Sequence, residues 1–249
     1  MSAAPAGPGG AAARVTVVHC DWAGRPVPET PLGPRERAHA ARLDGARRAE
    51  WVRTRLTAKA ALLRAGGPPD AEILPEPGGA PRLHDPSGRW ALSLAHTGEL
   101  TACAVSRTGA ASLVGVDVEP VDARNDILLP RLLGPDEPPR LGPGPRPPGL
   151  LATVLVAAKE AALKAYRRPS PALRAYRLRQ DADGGLHVRV ADAPYPALRV
   201  WWTCHAGLVT AVCAADERPP ERYAVSAGAV LTALAARPVR RHPPAPRLP

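Results

Sequence analysis

Two segments of the chain recur roughly 100 residues further along, and this repetition is the strongest constraint on its fold. The segment AKAALLRA (58–65) returns as AKEAALKA (158–165), with five of eight positions identical. In HTGELTACA (96–104) and HAGLVTAVCA (205–214), His, Gly, Thr and Ala keep their offsets. Two repeats in the same order indicate a duplicated unit. We therefore predict an α+β fold of two similar halves, related by a pseudo-twofold axis, with the active site in the cleft between them.

Apolar patterning predicts a long helical run and a β-hairpin in each half. Helical runs cover 34–65 and 150–167, and the strand-like segments WALSLAH and LTACAVS flank the turn residues TGE. A chain of 249 residues accommodates two units of about 100–125 residues. We expect four parts, namely a flexible tail (1–13), an N-terminal half (14–110), a C-terminal half with the acidic site (111–216) and a partly disordered extension (217–249).

The three lysines of this arginine-rich chain all lie in the two repeated helices. The sequence has 30 Arg but only Lys59, Lys159 and Lys164. Lys59 aligns with Lys159, whereas Ala60 stands where the second copy has Glu160. This difference predicts a site built on one half only.

Asp117 and Glu119 are two positions apart in the strand-like segment VGVDVEP (114–120). Alternate residues of a strand share a face, so the two carboxylates would repel each other unless a positive group lies between them. A divalent cation with oxygen ligands meets that need. A half-exposed edge strand with solvated acids remains the alternative interpretation of this pair.

Glu160 and Lys164 are one helical turn apart, which by itself indicates a surface salt bridge of about 0.3–0.5 kcal/mol. Combined with Asp117, Glu119 and Lys159, however, they supply three carboxylates and two ammonium groups. Magnesium uses few protein carboxylates and takes its other ligands from phosphate and water. The combination predicts a magnesium-dependent transfer from a phosphate ester or anhydride.

The order and spacing of VGVDVEP and KEAALKA (159–165) resemble the signature of the 4'-phosphopantetheinyl transferases. GAPRL (79–83), LSLAHTG (92–98) and GLVTAVCAA (207–215) extend the resemblance over about 15–215. The two-half organisation resembles the surfactin-type branch of this superfamily. The resemblance implies transfer of 4'-phosphopantetheine from coenzyme A to a serine of an acyl or peptidyl carrier protein in secondary metabolite biosynthesis, with release of 3',5'-ADP.

The resemblance also implies roles for the acidic site. Asp117, Glu119 and Glu160 would hold Mg2+, and Asp117, Glu160 and Lys164 would form the catalytic group. Glu160, directly or through a water, would take the proton of the serine hydroxyl. Lys164 would stabilise or protonate the leaving phosphate.

According to the resemblance, three further residues would contact the phosphates of coenzyme A. They are Lys159, His96, and Arg48 or, in an equally good register, Arg47. His96 before a tight turn is also typical of a structural histidine, and Arg48 of a solvated helix arginine. These alternatives stay open.

Several positions depart from the family pattern. Val156 replaces a tryptophan, Ala95 a serine and Ala80 a frequent basic residue, while Arg167 follows KAY in place of the usual glycine. These changes affect expected coenzyme A contacts and helix packing, but they leave the three acids intact.

The composition of the chain limits the kinds of binding partner that we expect. The net charge of +10 suits an acidic carrier protein, and the basic cluster at 237–242 lacks the interleaved aromatic residues of a nucleic-acid site. We expect no nucleic acid and no membrane partner, a monomer, and a cytoplasmic location, since neither a signal peptide nor a long apolar run is present. A non-catalytic coenzyme A or carrier-protein binding module on the same fold is the alternative.

Overall fold

The computed structural model describes residues 14–236 apart from 69, 86, 108–112, 135, 138–145, 168–171, 183, 192–193 and 217. The strands are β1 (Val15–Asp21), β2 (Glu72–Pro75), β3 (Pro81–His84), β4 (Trp90–Thr97), β5 (Leu100–Arg107), β6 (Val114–Pro120), β7 (Tyr176–Gln180), β8 (Leu186–Val190), β9 (Leu198–His205), β10 (Leu208–Ala214) and β11 (Glu221–Ser226). The α-helices are α1 (Pro34–Ala40), α2 (Gly45–Arg64), α3 (Leu129–Leu132), α4 (Leu150–Tyr166) and α5 (Ala227–Ala235). The mixed α and β content confirms the coarse fold class.

The first sheet has the strand order β11-β1-β5-β4, and the long helix α2 packs on β1 and β5. Its pairs are antiparallel except for β1 and β11, which run parallel. Residues beyond 220 thus return to the first sheet, and α5 joins an apolar cluster with Trp22 and Leu56. The tail expected to be partly disordered contributes an ordered strand and helix, while 237–249 lie outside the described residues.

The second sheet is an antiparallel array with the order β6-β10-β9-β8-β7. Helix α4 crosses one face of it and contacts β6 and β10 most extensively. The other face of β6 carries Val114, Val116 and Val118, which are buried in one cluster with Val15 and Val17 of β1. This shared apolar layer holds the two sheets together, because its burial removes apolar surface of both from water.

The predicted helical run over 34–65 is divided into α1 and α2. After α1 the backbone amides of Arg42 and Leu43 turn back to His39 and Ala40, and Asp44 then adopts an extended conformation before α2 begins. The predicted hairpins are present as β4–β5 and β9–β10.

The sequence repeat aligns His, Gly, Thr and Ala of the two hairpins, but relative to the turns this alignment is shifted by one residue in the structure. Thr97 pairs with Leu100 at the first turn, whereas His205 pairs with Leu208 at the second. His96 is therefore one residue further from its turn than His205. Because successive strand residues point to opposite faces, the two histidines are not structural equivalents.

Among the described residues, no helix combines the length and apolar character that crossing a bilayer requires. The four cysteines are unpaired; three are buried, and Cys204 is exposed on β9.

Candidate active site

The acidic residues of β6 lie on the face that α4 covers. Asp117 is buried and Glu119, two residues on, is half-buried. Asp117 lies opposite Ala211 and Glu119 opposite Val209 of the neighbouring strand β10. The alternation expected from VGVDVEP is present, with valines toward the first sheet and acids toward the helix.

Gly115 sets the distance between α4 and β6. A Cβ atom at this position would lie 1.8 Å from the carbonyl oxygen of Ala161, so only glycine permits the contact. The close approach brings the helix residues Glu160 and Lys164 beside the acids of β6. The Lys164 ammonium donates to Asp117 Oδ1 at 2.6 Å and to the Val116 carbonyl oxygen at 3.3 Å.

Burial and like charge both act on the remaining carboxylates. Burial, followed by the negative charge of Asp117, raises the pKa of Glu160, and Lys164 opposes this shift. The pKa of Glu119 is raised for the same two reasons, with a further contribution from Glu160. The three acids are thus close enough to interact electrostatically, and the positive charge of Lys164 offsets part of their repulsion.

Asp117 Oδ2 is buried and has no hydrogen-bond partner. A buried carboxylate oxygen without a partner is costly, and a hard cation would satisfy it. Three carboxylates are also the ligand type that magnesium prefers. The residues therefore fit a divalent ion chemically, although nowhere in the described parts of the chain are three His, Cys, Asp or Glu side chains arranged to hold a metal.

A cavity of about 730 Å³ opens beside Lys164. Its walls come from α2, the turn between β2 and β3, strand β4 and the end of α4. This volume is typical of sites for small molecules or cofactors. Polar and charged side chains line it beside apolar ones, among them Arg47, Arg55, His96, Lys164 and Arg167.

The structure separates the two arginine registers left open by the sequence. Arg47 lines the cavity, whereas Arg48 donates to both carboxylate oxygens of Glu29, with Nη2 at 2.9 Å from Oε2. His96 also lines the cavity, and its Nε2 lies 3.1 Å from Glu50 Oε1. The geometry therefore favours Arg47 over Arg48 for contact with a ligand in this cavity.

Lys159 does not reach the cavity, and its expected contact with coenzyme A phosphates does not fit its position. Its ammonium is completely buried, 2.8 Å from the Glu137 carboxylate, and it also donates to the Leu132 carbonyl oxygen. The reason is helix geometry, since adjacent residues point about 100° apart and Glu160 already faces β6. Burial lowers the pKa of Lys159, and Glu137 opposes that shift.

Sequence reasoning missed Glu137 and the position of Arg167 in the wall of the cavity. Glu137 lies in the proline-rich connection before α4, where no periodicity marks a buried residue. Arg167 was noticed only as a departure from glycine. Glycine is usual just after the last residue of a helix, so an arginine at this position was the signal in the sequence.

No protein-family model matches the sequence. The chain is 34% identical over 141 residues to a Streptomyces mobaraensis protein named 4'-phosphopantetheinyl transferase Svp. The alignment covers 56% of this chain and 56% of that protein, so the chain spans about half the length of the curated relative that it matches. The similarity supports the phosphopantetheinyl transferase superfamily that the signature motifs indicate.

Proposed function

We propose that the chain is a magnesium-dependent 4'-phosphopantetheinyl transferase that converts an apo acyl or peptidyl carrier protein to its holo form. The contact of Lys164 with Asp117 beside the cavity is the observation that carries the proposal. It joins an acidic cluster to a site large enough for a cofactor. The similarity to a protein of that name supports the same activity.

Glu160 is the proposed general base. Its half-buried carboxyl group has a raised pKa, and a base works best when its pKa approaches the operating pH. It would accept the proton of the carrier serine hydroxyl, directly or through a water. The serine oxygen would then form a bond to the β-phosphorus of coenzyme A, and the bond from that phosphorus to 3',5'-ADP would break.

Lys164 is the proposed electrostatic partner of the leaving phosphate. Its ammonium lines the cavity while it remains bonded to Asp117. A positioned cation at the point where negative charge develops stabilises the transition state. The proton that Lys164 carries could pass to the departing phosphate oxygen of 3',5'-ADP.

Asp117, Glu119 and Glu160 would hold Mg2+. The ion would neutralise charge on the diphosphate of coenzyme A. The buried, unpartnered Asp117 Oδ2 supports this assignment.

The cavity is the proposed coenzyme A site. Arg47 and His96 line it and could contact phosphate groups, whereas Arg48 is engaged by Glu29. Carrier proteins are usually acidic, and the net charge of +10 favours their approach.

We also propose that residues 14–110 and 111–216 are halves of a duplicated unit with the site between them, in a monomeric, cytoplasmic protein. Matched buried ion pairs support the duplication, because Lys59 lies 2.9 Å from Glu36 in one half and Lys159 lies 2.8 Å from Glu137 in the other.

A turnover assay with matched glutamate variants tests the proposal. Incubation with an apo carrier protein, coenzyme A and Mg2+ should release 3',5'-ADP, and Glu160→Gln should reduce that rate at least about a hundredfold. Glu221→Gln is the control, since this partly exposed residue of β11 pairs with Arg14 and lies in the other sheet from the acids of β6. Full activity of Glu160→Gln would refute the assigned base. Coenzyme A binding without turnover by the native chain would favour the non-catalytic binding module.

A further inference from the structure

Arg167 adopts a backbone conformation that normally favours glycine. It follows the last residue of α4 with φ 50° and ψ 39°, in the left-handed region. A residue with a Cβ atom is disfavoured there, and glycine is common at the end of a helix for that reason. Ala206 is the other non-glycine residue with positive φ in the described parts of the chain.

The Arg167 side chain lines the cavity and reaches from the end of α4 to Glu76 and Pro81, which also line it. Its Nη1 lies 3.5 Å from Glu76 Oε2, and its Nη2 donates to the Pro81 carbonyl oxygen at 3.4 Å. Both contacts are long for hydrogen bonds to arginine, and 42% of the side chain is exposed. The guanidinium group is therefore loosely held and can turn toward a ligand.

Arg167 lies beside Lys164 in the wall of the cavity. The two residues are three apart in sequence and both line the cavity, so they place two cations along one wall. The facing turn between β2 and β3 offers Ala80, which has no charge, immediately before Pro81. The turn residues that line the cavity include no basic side chain, so Arg167 supplies the positive charge beside the turn.

The charges of the wall favour an anion. Arg47, Arg55, Lys164 and Arg167 line the cavity, against the carboxylates Glu50 and Glu76. Glu50 is already within reach of His96. A planar guanidinium recognises phosphate through paired hydrogen bonds. Because the contacts of Arg167 with Glu76 and Pro81 are long, its guanidinium group can form such a pair with a phosphate.

We infer that Arg167 binds a phosphate group of the cavity's ligand and so contributes to ligand affinity. This inference rests on the proposed function, in which coenzyme A is the ligand. The phosphate is either the diphosphate, next to Lys164, or the terminal 3'-phosphate. Arginine would bind either phosphate in the same way, and an experiment can distinguish the diphosphate from the 3'-phosphate.

Calorimetric titration of the full chain with coenzyme A and with 3'-dephospho-coenzyme A tests the inference. Arg167→Gly removes the cation and suits the left-handed backbone, so the variant should fold. Ala206→Gly is the matched control, because it makes the same backbone change at an exposed turn that lacks a cavity contact. Both variants should melt at or above the temperature of the native chain.

Arg167→Gly should weaken coenzyme A binding about tenfold, whereas Ala206→Gly should bind like the native chain. Arg167→Lys should retain more affinity than Arg167→Gly. A loss for coenzyme A alone assigns the contact to the 3'-phosphate, and an equal loss for both ligands assigns it to the diphosphate. Native-like affinity of Arg167→Gly for both ligands would overturn this inference only. Failure of the native chain to bind coenzyme A would overturn the proposed function as well.

Discussion

Lys59 and Lys159 occupy matching positions of the sequence repeat, and both are buried in the fold. Each ammonium group is buried, pairs with a glutamate and also donates to a backbone carbonyl oxygen, of Ala71 and Leu132 respectively. Glu36 and Glu137 accept in turn from the backbone amides of Ile73 and Leu178. Each pair therefore ties a long helix to a strand, α2 to β2 and α4 to β7.

Breaking one buried pair should be costly. Lys159→Met leaves the Glu137 carboxylate buried without its cation, which we expect to lower the free energy of unfolding by about 3–5 kcal/mol. Urea denaturation of the native and variant chains measures the change. Arg179→Met is the comparison, because both members of its ion pair with Asp136 are exposed and its loss should cost much less. Equal losses for the two variants would contradict the structural role of Lys159.

His19 should make the fold sensitive to mild acid. Burial lowers its pKa from 6.5 to about 4, with a smaller effect of Arg222, and its Nε2 has no hydrogen-bond partner. Below pH 6.5 His19 is protonated in the unfolded chain, whereas in the folded chain it stays neutral until about pH 4. The fold should therefore lose up to about 3 kcal/mol as the pH falls through this window, with no effect of His19 above it.

The comparison of native and His19→Gln chains isolates that contribution. Unfolding free energies measured by denaturant at pH 7.5 and pH 4.5 should fall more steeply for the native chain. Parallel pH profiles would show that His19 is not the titrating group.

At the level of elements, the contact of α4 with β6 builds the site, and Gly115 is its narrowest point. Gly115→Ala would force the Cβ atom against the Ala161 carbonyl oxygen and push the helix away. We expect a loss of about 3 kcal/mol and a lower rate of transfer, because Lys164 would move from Asp117.

Gly45→Ala is the matched control for that substitution. No heavy atom lies within 4 Å of a Cβ atom built there, at the start of α2. Thermal melts and turnover of both variants give the comparison. A Gly115→Ala chain as stable and active as the control would contradict the account of helix packing.

The elements also show what sequence patterns can reveal. Alternation over VGVDVEP predicted β6 and its two faces, because strand periodicity is a local property. The partners of Lys159 could not be predicted in the same way. Glu137 comes from a connection 22 residues away, and only the tertiary fold brings it to α4. The resemblance to a signature motif assigns Lys159 to phosphate, whereas helix geometry points Lys159 about 100° away from Glu160.

For the whole molecule, the end of the chain completes the first sheet. Strand β11 pairs with β1, and Val230 and Leu234 of α5 are buried in one cluster with Trp22 and Leu56. The sequence predicts only a partly disordered extension there and not this strand, since an edge strand of six residues with mixed exposure has a weak pattern.

Truncation tests this closure of the fold. A chain that ends at Asp216 loses β11 and α5 and should lose about 3–6 kcal/mol, since the three buried side chains of α5, among them Val230 and Leu234, are no longer removed from water on folding. A chain that ends at Ala236 keeps every contact of α5 that the structure describes and is the control. Equal thermal stability of the two truncated chains would contradict the role of the returning segment.

The central claim is that the acids of β6 and α4 serve phosphopantetheine transfer. Intact-mass spectrometry of an apo carrier protein, after incubation with the native chain, coenzyme A and Mg2+, tests it most directly. We predict that the carrier gains the mass of one phosphopantetheine and that Glu160→Gln abolishes the gain. An unchanged mass for acyl and peptidyl carriers alike, under conditions where the native chain binds coenzyme A, would contradict the claim.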